Sequence, residues 1–274
     1  MGEEKKAKSE STVNISGGQL NVGEDFVAGN KIVHLPPAPI VSALHQLRDP
    51  VADFVGRERE IQTLVEALRA GDRVRLSGIQ GLGGIGKTEL ARAVAERVVT
   101  DYPDAQLWVD LRGTDPIPRP GADALVALIR AFLGLEAKLP EDPEELSQIY
   151  LSQLSGKRVL IVLDNAADAA QVQPLLPPSG CAALITSREA LALPGLKRLT
   201  LEELPLPEAR QLLASMAPRV SEEVAEEICK LCARLPLALR AAGSLLDVTS
   251  DLDPTDYAEE LRDERTRLPL NWLR

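Results

Sequence analysis

The segment RVRLSGIQGLGGIGKTELARAV, residues 73–94, leaves a chain few folds to choose from. A short apolar run meets a glycine-crowded turn, then Lys87 and Thr88, then residues with helical spacing. Gly81-Leu-Gly-Gly-Ile-Gly86-Lys87-Thr88 satisfies the pattern GxxxxGK[ST] in full. Such a turn works only where a buried strand hands the chain directly to a helix. Its main-chain N–H groups must converge on phosphate oxygens, and the helix N-terminus adds its positive end. Gly83, Gly84 and Gly86 then form the cradle, Lys87 reaches the β- and γ-phosphates, Thr88 offers its hydroxyl to Mg2+, and Glu89 stands beside them in the first helical turn.

A dinucleotide site is the rival. Gly81-x-Gly83-x-x-Gly86 also fits GxGxxG, and Asp110 closes the second strand, where a dinucleotide enzyme keeps its ribose-binding acid. The GKT tail has no role in that fold, however. A triphosphate site also needs a second element, and VLIVLD supplies it by placing Asp164 at the carboxyl end of an apolar strand, as Mg2+ binding requires. Thr88 and Asp164 are therefore the expected metal ligands. Asn165 follows Asp164, where many hydrolytic P-loop proteins carry an acid that polarises the attacking water, and an amide cannot take that proton. Either another residue such as Asp168, or water alone, suffices, or hydrolysis is slow and the nucleotide chiefly sets conformation. Slow hydrolysis is the expectation. Arg188 ends the run Thr186-Ser187-Arg188 and can touch a γ-phosphate, with a plain surface arginine as the alternative. Lys87, Asp164 and Arg188 make up the expected catalytic set.

Strand-like and helix-like segments alternate around these motifs. Strands are expected at 73–79, 106–111, 157–164, 181–187 and 196–201, with helices at 87–99 and between the later strands. That alternation predicts an α/β fold, a P-loop NTPase whose parallel five-stranded sheet is covered on both faces. After residue 201 only helix-like segments follow, so a small all-helical domain is expected. Val13 and Ile15, then Leu20 and Val22, alternate with polar residues among glycines, which predicts a short β-prone element or a flexible leader. LPPAPI (35–40) is a linker by composition. The expected organisation is thus a leader and linker at 1–40, a nucleotide-binding domain at 41–202 and a helical domain at 203–274.

Composition narrows the partners. Aromatic residues are only 3% and the net charge is −10, which argues against a base-stacking surface and against direct nucleic-acid contact. Cys229 and Cys232 form a CxxC inside a helix-like pattern with no second pair, and are expected to pack as small hydrophobes. With only three cysteines and no apolar run near the length of a membrane span, a soluble, cytoplasmic protein is expected.

Taken in order, these motifs resemble the NB-ARC nucleotide-binding module of bacterial STAND-class signal-transduction NTPases, over about residues 50 to 270. Phe54-Val55-Gly56-Arg57-Glu58-Arg59-Glu60 is similar to the family's hhGRExE signature, where adenine is contacted, so the resemblance assigns Val55 and Arg57 to the base. LWVDLRG, VLIVLDNAADAAQVQPLLP and ALITSRE are similar to the second-strand, Walker B and sensor regions. Arg234-Leu235-Pro236-Leu237-Ala238-Leu239 resembles GLPLAL, whose proline packs on adenine, so Pro236 takes that role, although Arg234 stands where the family has glycine. The resemblance implies the strand order 2-3-4-1-5 and a nucleotide-binding core cut from a longer protein, before its winged-helix and sensor domains. It also implies a regulatory switch that binds ADP or ATP with Mg2+, hydrolyses slowly, and self-associates or meets a protein partner in the ATP form. Two alternatives stay open. The N-terminal β-prone element could be an oligomerisation module that the NTPase serves, or the chain could be an ordinary metabolic ATPase or kinase.

Overall fold

The computed structural model describes residues 13–15, 18–20, 44–70 and 75–267. The first two stretches are β1 (Val13–Ile15) and β2 (Gly18–Leu20), an antiparallel pair with Val13 opposite Leu20. They belong to a unit, Met1–Val41, that is separate from Ser42–Arg274. Val22, the LPPAPI linker and residues 268–274 lie outside the described residues.

In the larger unit the sequence VLIVL decides the architecture. Val159 to Leu163 are all fully buried, which a strand achieves only when both faces of its sheet are covered. Val159, Ile161 and Leu163 pack in one core with Leu125, Leu128 and Ile129 of α3 (Gly121–Leu133) and with Leu146 and Tyr150 of α4 (Pro143–Leu154). Leu160 and Val162 face the other way, among Leu64 and Leu68 of α1 (Glu58–Arg69) and Leu90 and Val94 of α2 (Lys87–Arg97). Each such side chain contributes about 1.5–3 kcal/mol on burial.

The sheet comprises β3 (Arg75–Gln80), β4 (Ala105–Asp110), β5 (Val159–Ala166), β6 (Ala182–Ser187) and β7 (Leu196–Thr200). Its order is β4-β5-β6-β3-β7 and every pairing is parallel. This is the expected order 2-3-4-1-5. It brings the carboxyl ends of β3, β6 and β5, which carry the phosphate loop, Arg188 and Asp164, onto one edge of the sheet. The outer side of β4 is met by residues 44–46. The main-chain N–H of Gln46 donates to Gln106 O at 2.8 Å, and Gln106 N–H donates to Leu44 O at 2.7 Å. The Gln46 side chain accepts from Trp108 N–H at 3.0 Å.

Several element ends differ from expectation by one or two residues, among them those of α2 and β5. Helix α2 stops at Arg97 instead of 99, and a 3-10 turn, Val99–Asp101, completes the descent. Strand β5 runs past Asp164 to Ala166, with a register shift against β6 between Leu163 and Ala166 and with Asn165 in the left-handed region at φ 55°. An irregularity of this kind re-aims side chains at the end of a strand.

Helices α6 (Leu206–Met216), α7 (Glu222–Leu231), α8 (Pro236–Val248) and α9 (Pro254–Arg267) share a third core that includes Leu213, Ile228, Cys229, Leu239, Leu246 and Ala258. Burial pushes the Cys229 thiol up to about 11, as suits a packing role, while Cys232 is half-buried. Phe54 packs against the second core and Val55 against the third, so this dipeptide straddles the α/β and helical parts. Among the described residues no helix is long and apolar enough to cross a membrane.

Candidate functional site

The phosphate loop leaves β3 at Gln80 and enters α2 at Lys87. Gly84 and Gly86 take φ of 73° and 95°, backbone that L side chains rarely adopt. Gly84 also faces a close neighbour: a Cβ there would lie 3.0 Å from Leu237 Cβ. At Gly83 a Cβ would stand 3.4 Å from the Arg188 guanidinium, so the Arg188 side chain rests over the loop. Lys87 folds back, donating through Nζ to the carbonyl oxygens of Gly81 at 2.8 Å and Leu82 at 2.7 Å. Burial, and then the nearby Arg188 charge, push its ammonium down to about 8, against an opposing pull from Asp164.

Across the sheet edge, Asp164 is buried and accepts hydroxyl hydrogen bonds. Thr88 Oγ1 donates to its two oxygens at 3.0 and 3.2 Å, and Thr186 Oγ1 donates to Oδ1 at 2.6 Å. Thr186 in turn accepts from the main-chain N–H of Asn165 at 2.8 Å. A hydroxyl and a carboxylate this close make an oxygen donor set of the kind Mg2+ takes, so the residues present fit that ion.

These groups line a cavity of about 440 Å³ together with Val55, Arg57, Gly83, Gly84, Gly86, Glu89, Arg188 and Pro236. The residues expected to bind nucleotide, metal or phosphate therefore border one space, a volume in the range of small-molecule pockets, whereas Asp168 does not line it. Two of them carry other duties as well. Arg57 is buried with its guanidinium committed, donating to Glu202 O at 2.6 Å and pairing with Glu60 at 3.2 Å. Glu89 pairs with Arg92 at 2.7 Å and accepts from Val51 N–H at 3.3 Å, so it pins the segment ahead of α1. Asp168, the substitute considered for a catalytic acid, caps α5 (Ala169–Val172) by accepting from Gln171 N–H at 2.8 Å.

The opposite wall comes from the helical part. Pro236 opens α8, and the next main-chain N–H, that of Leu237, donates to Gly84 O at 3.2 Å. Proline suits a first helical position because its missing N–H would have no intrahelical partner. Sequence reasoning missed Arg240, which lies one turn beyond Pro236 on α8 and forms an ion pair with Asp53 at the cavity rim. The i, i+4 spacing from Pro236 was the available signal. It also missed Thr114, whose hydroxyl accepts from Asn165 Nδ2 at 3.2 Å.

The match to known proteins follows the same geometry. The model of the NB-ARC domain matches residues 57–192. The chain carries an NB-ARC module. Two proteins named regulatory protein AfsR are 39% identical to it. The one from Streptomyces coelicolor aligns over 81% of this chain and 24% of its own length, and the one from Streptomyces griseus over 85% and 25%. A putative disease resistance protein of Arabidopsis thaliana is 29% identical over 73% of this chain and 24% of its own length. The chain thus spans about a quarter of the curated relatives it matches. Among solved structures, a signal transduction ATPase with numerous domains and a tetratricopeptide repeat sensor, from Pyrococcus horikoshii, has a TM-score of 0.50 at 23% identity, covering 74% of this chain and 31% of that one. The Orc1 protein of Aeropyrum pernix, solved with DNA, has a TM-score of 0.51 at 19% identity, covering 80% and 70%. At these identities the two likenesses speak for the fold alone. The NB-ARC module is a nucleotide-binding signalling module, and the cavity between the phosphate loop and α8 is its candidate nucleotide site.

Proposed function

We propose that this NB-ARC module works as a nucleotide-operated switch. It would hold ADP or ATP with Mg2+ between the phosphate loop and α8, hydrolyse ATP slowly, and favour self-association in the ATP form. The observation that carries this reading is the hydrogen bond from Leu237 N–H to Gly84 O, which joins the helical part directly to the loop that would cradle the phosphates. A ligand that adds a γ-phosphate beside Gly83, Arg188 and Lys87 acts on the same loop that α8 touches. Differential contacts of that kind are what a two-state device requires.

Each site residue has a part in this reading. Gly83, Gly84 and Gly86 present main-chain N–H groups, Lys87 and Arg188 neutralise phosphate charge, and Thr88 and Asp164 would hold Mg2+, which screens the phosphates and orders them. Val55, Arg57 and Pro236 would frame the base. Asn165 supports slow turnover, because its amide cannot accept the water's proton. Direct contact with nucleic acid is not part of the proposal, since a net charge of −10 opposes it.

The test is the nucleotide that purified protein retains, followed by titration with ADP and ATP and mass in solution with each. Bound nucleotide lost in Lys87→Ala supports the switch, and an empty protein that no nucleotide titrates ends it. Phosphate release at about 1–100 s⁻¹ would instead indicate an ordinary ATPase or kinase.

A second reading concerns the hairpin of β1 and β2, whose strands of three residues each are too short to be stable alone. That shortness favours a pairing partner, either a copy of itself or another chain. If removing residues 1–41 leaves the solution mass unchanged with either nucleotide, the hairpin has no role in assembly.

A further inference from the structure

Four carboxylates line the nucleotide cavity: Asp53, Glu89, Asp110 and Asp164. Three are engaged. Asp53 pairs with Arg240, Glu89 with Arg92, and Asp164 accepts from Thr88 and Thr186. Asp110 has no ion pair among the described residues. Its Oδ1 accepts from the main-chain N–H of Arg112 at 2.8 Å, and its other oxygen has no hydrogen-bond partner among the described residues.

Its position is set by the sheet. Asp110 is the register partner of Asp164 in the parallel pairing of β4 with β5. Register partners on parallel strands sit about 4.8 Å apart and send their side chains to the same face. The two strand ends are then fastened, because Leu111 N–H donates to Asp164 O at 2.8 Å and Gly113 N–H donates to Asn165 O at 2.6 Å. Asn165, in the place where an acid would act, has its amide turned to the Thr114 hydroxyl as a donor.

Resting on the switch reading above, we propose that Asp110 is the catalytic carboxylate of this module: it orients the attacking water and takes its proton. The water oxygen forms a bond to the γ-phosphorus while the bond from that phosphorus to the bridging oxygen breaks. The electron pair leaves with ADP, the product is inorganic phosphate, and the proton passes through the exposed Asp110 side chain to solvent. Placing the base one strand away from the Mg2+ carboxylate, in a residue open to water, suits slow turnover. The role is distinct from binding ribose or metal, and each of those has its own signature.

The experiment uses the full chain with MgATP and measures phosphate release beside the Kd for MgATP. Asp110→Asn should lower kcat on the order of a hundredfold while Kd stays within about twofold. Asp110→Glu, which keeps a carboxylate and guards against a folding artefact, should retain turnover within about tenfold. Asp110→Asn combined with Asn165→Asp should recover part of the loss, because the carboxylate returns one strand over. Unchanged turnover in Asp110→Asn overturns the proposal. So does a loss that appears in Kd or in the Mg2+ requirement, or an unaltered protein with no turnover above buffer. Failure of the unaltered protein to bind nucleotide defeats the switch reading itself, whereas intact binding with unchanged turnover defeats only the role of Asp110.

Discussion

Arg240, on the first turns of α8, forms an ion pair with Asp53, which lies ahead of α1. The two residues stand at the rim of the cavity, and the pair ties the helical part to the chain segment that leads into the α/β part. Both side chains keep a quarter or more of their surface exposed, so the pair contributes at most about 1 kcal/mol to global stability. Its effect should instead fall on how long nucleotide stays bound. Arg240→Ala and Asp53→Ala should each raise the nucleotide dissociation rate about three- to tenfold, with thermal midpoints nearly unchanged. The exchanged pair Asp53→Arg with Arg240→Asp should recover part of the loss. Stopped-flow release of a fluorescent ADP analogue measures this, and equal rates in all variants would remove the latch.

Arg234 holds φ at 54° directly after Ala233 at 50°, so both take the left-handed conformation as the chain turns from α7 into α8. The turn is closed by Arg234 N–H donating to Cys229 O at 2.9 Å. Non-glycine residues are strained there by about 1–2 kcal/mol, part of which glycine gives back as extra entropy in the unfolded chain. Arg234→Gly should therefore stabilise the protein by about 0.5–1 kcal/mol. Denaturant melts of the two proteins test it, and a loss of stability would mean that the arginine side chain makes a contact worth more than the strain.

Gly113 admits no side chain. A Cβ there would lie 2.3 Å from Ala167 N and 2.5 Å from Asn165 O, both main-chain atoms that cannot swing aside. Gly113→Ala should cost about 1–3 kcal/mol, in the range of overpacking, and should displace the Asp164–Ala167 turn, weakening Mg2+-dependent nucleotide binding. Nucleotide affinity with and without Mg2+ separates the two effects. Wild-type affinity under both conditions would show that the turn yields freely.

Much of the site was legible in the sequence because its main motifs are local. The phosphate loop, Asp164 and Pro236 each announce themselves within a few residues, through glycine spacing, an apolar run ending in an acid, or a proline at a helix start. Arg240, Asp53 and the register of Asp110 against Asp164 depend on which distant segments meet, and no local pattern encodes that. Arg57 shows the limit of a motif. The signature places it by the base, but its guanidinium is tied to a carbonyl at Glu202 that only the folded chain brings near. Asn165 was legible as an amide but not as a left-handed residue in an irregular strand end.

The Lys87 ammonium, pushed down to about 8 by burial and by Arg188, should make nucleotide binding depend on pH. A bound triphosphate favours the charged form and raises that value, so binding takes up a proton just above pH 8 and affinity falls as pH rises further. Below that point the lysine is already charged and uptake vanishes. For the nucleotide-free protein the sign is opposite. The folded form holds fewer protons than the unfolded form between about 8 and the ordinary lysine value of 10.5, so stability gains as pH rises through that window. Calorimetry in buffers of different ionisation heat counts the protons. Zero uptake just above pH 8, or uptake that persists in Lys87→Met, would assign the linkage to another group.

The outer side of β4 is already occupied where Gln106 exchanges main-chain hydrogen bonds with Leu44 and Gln46. A bare outer strand is a template on which a neighbouring molecule can add its own strand, and sheets that grow this way do not stop at a defined number. Here the chain spends its own approach to the domain on closing that side. Crowded copies of the module cannot fuse their sheets at this position, so whatever they build together there must be held by side chains, and side chains can be let go.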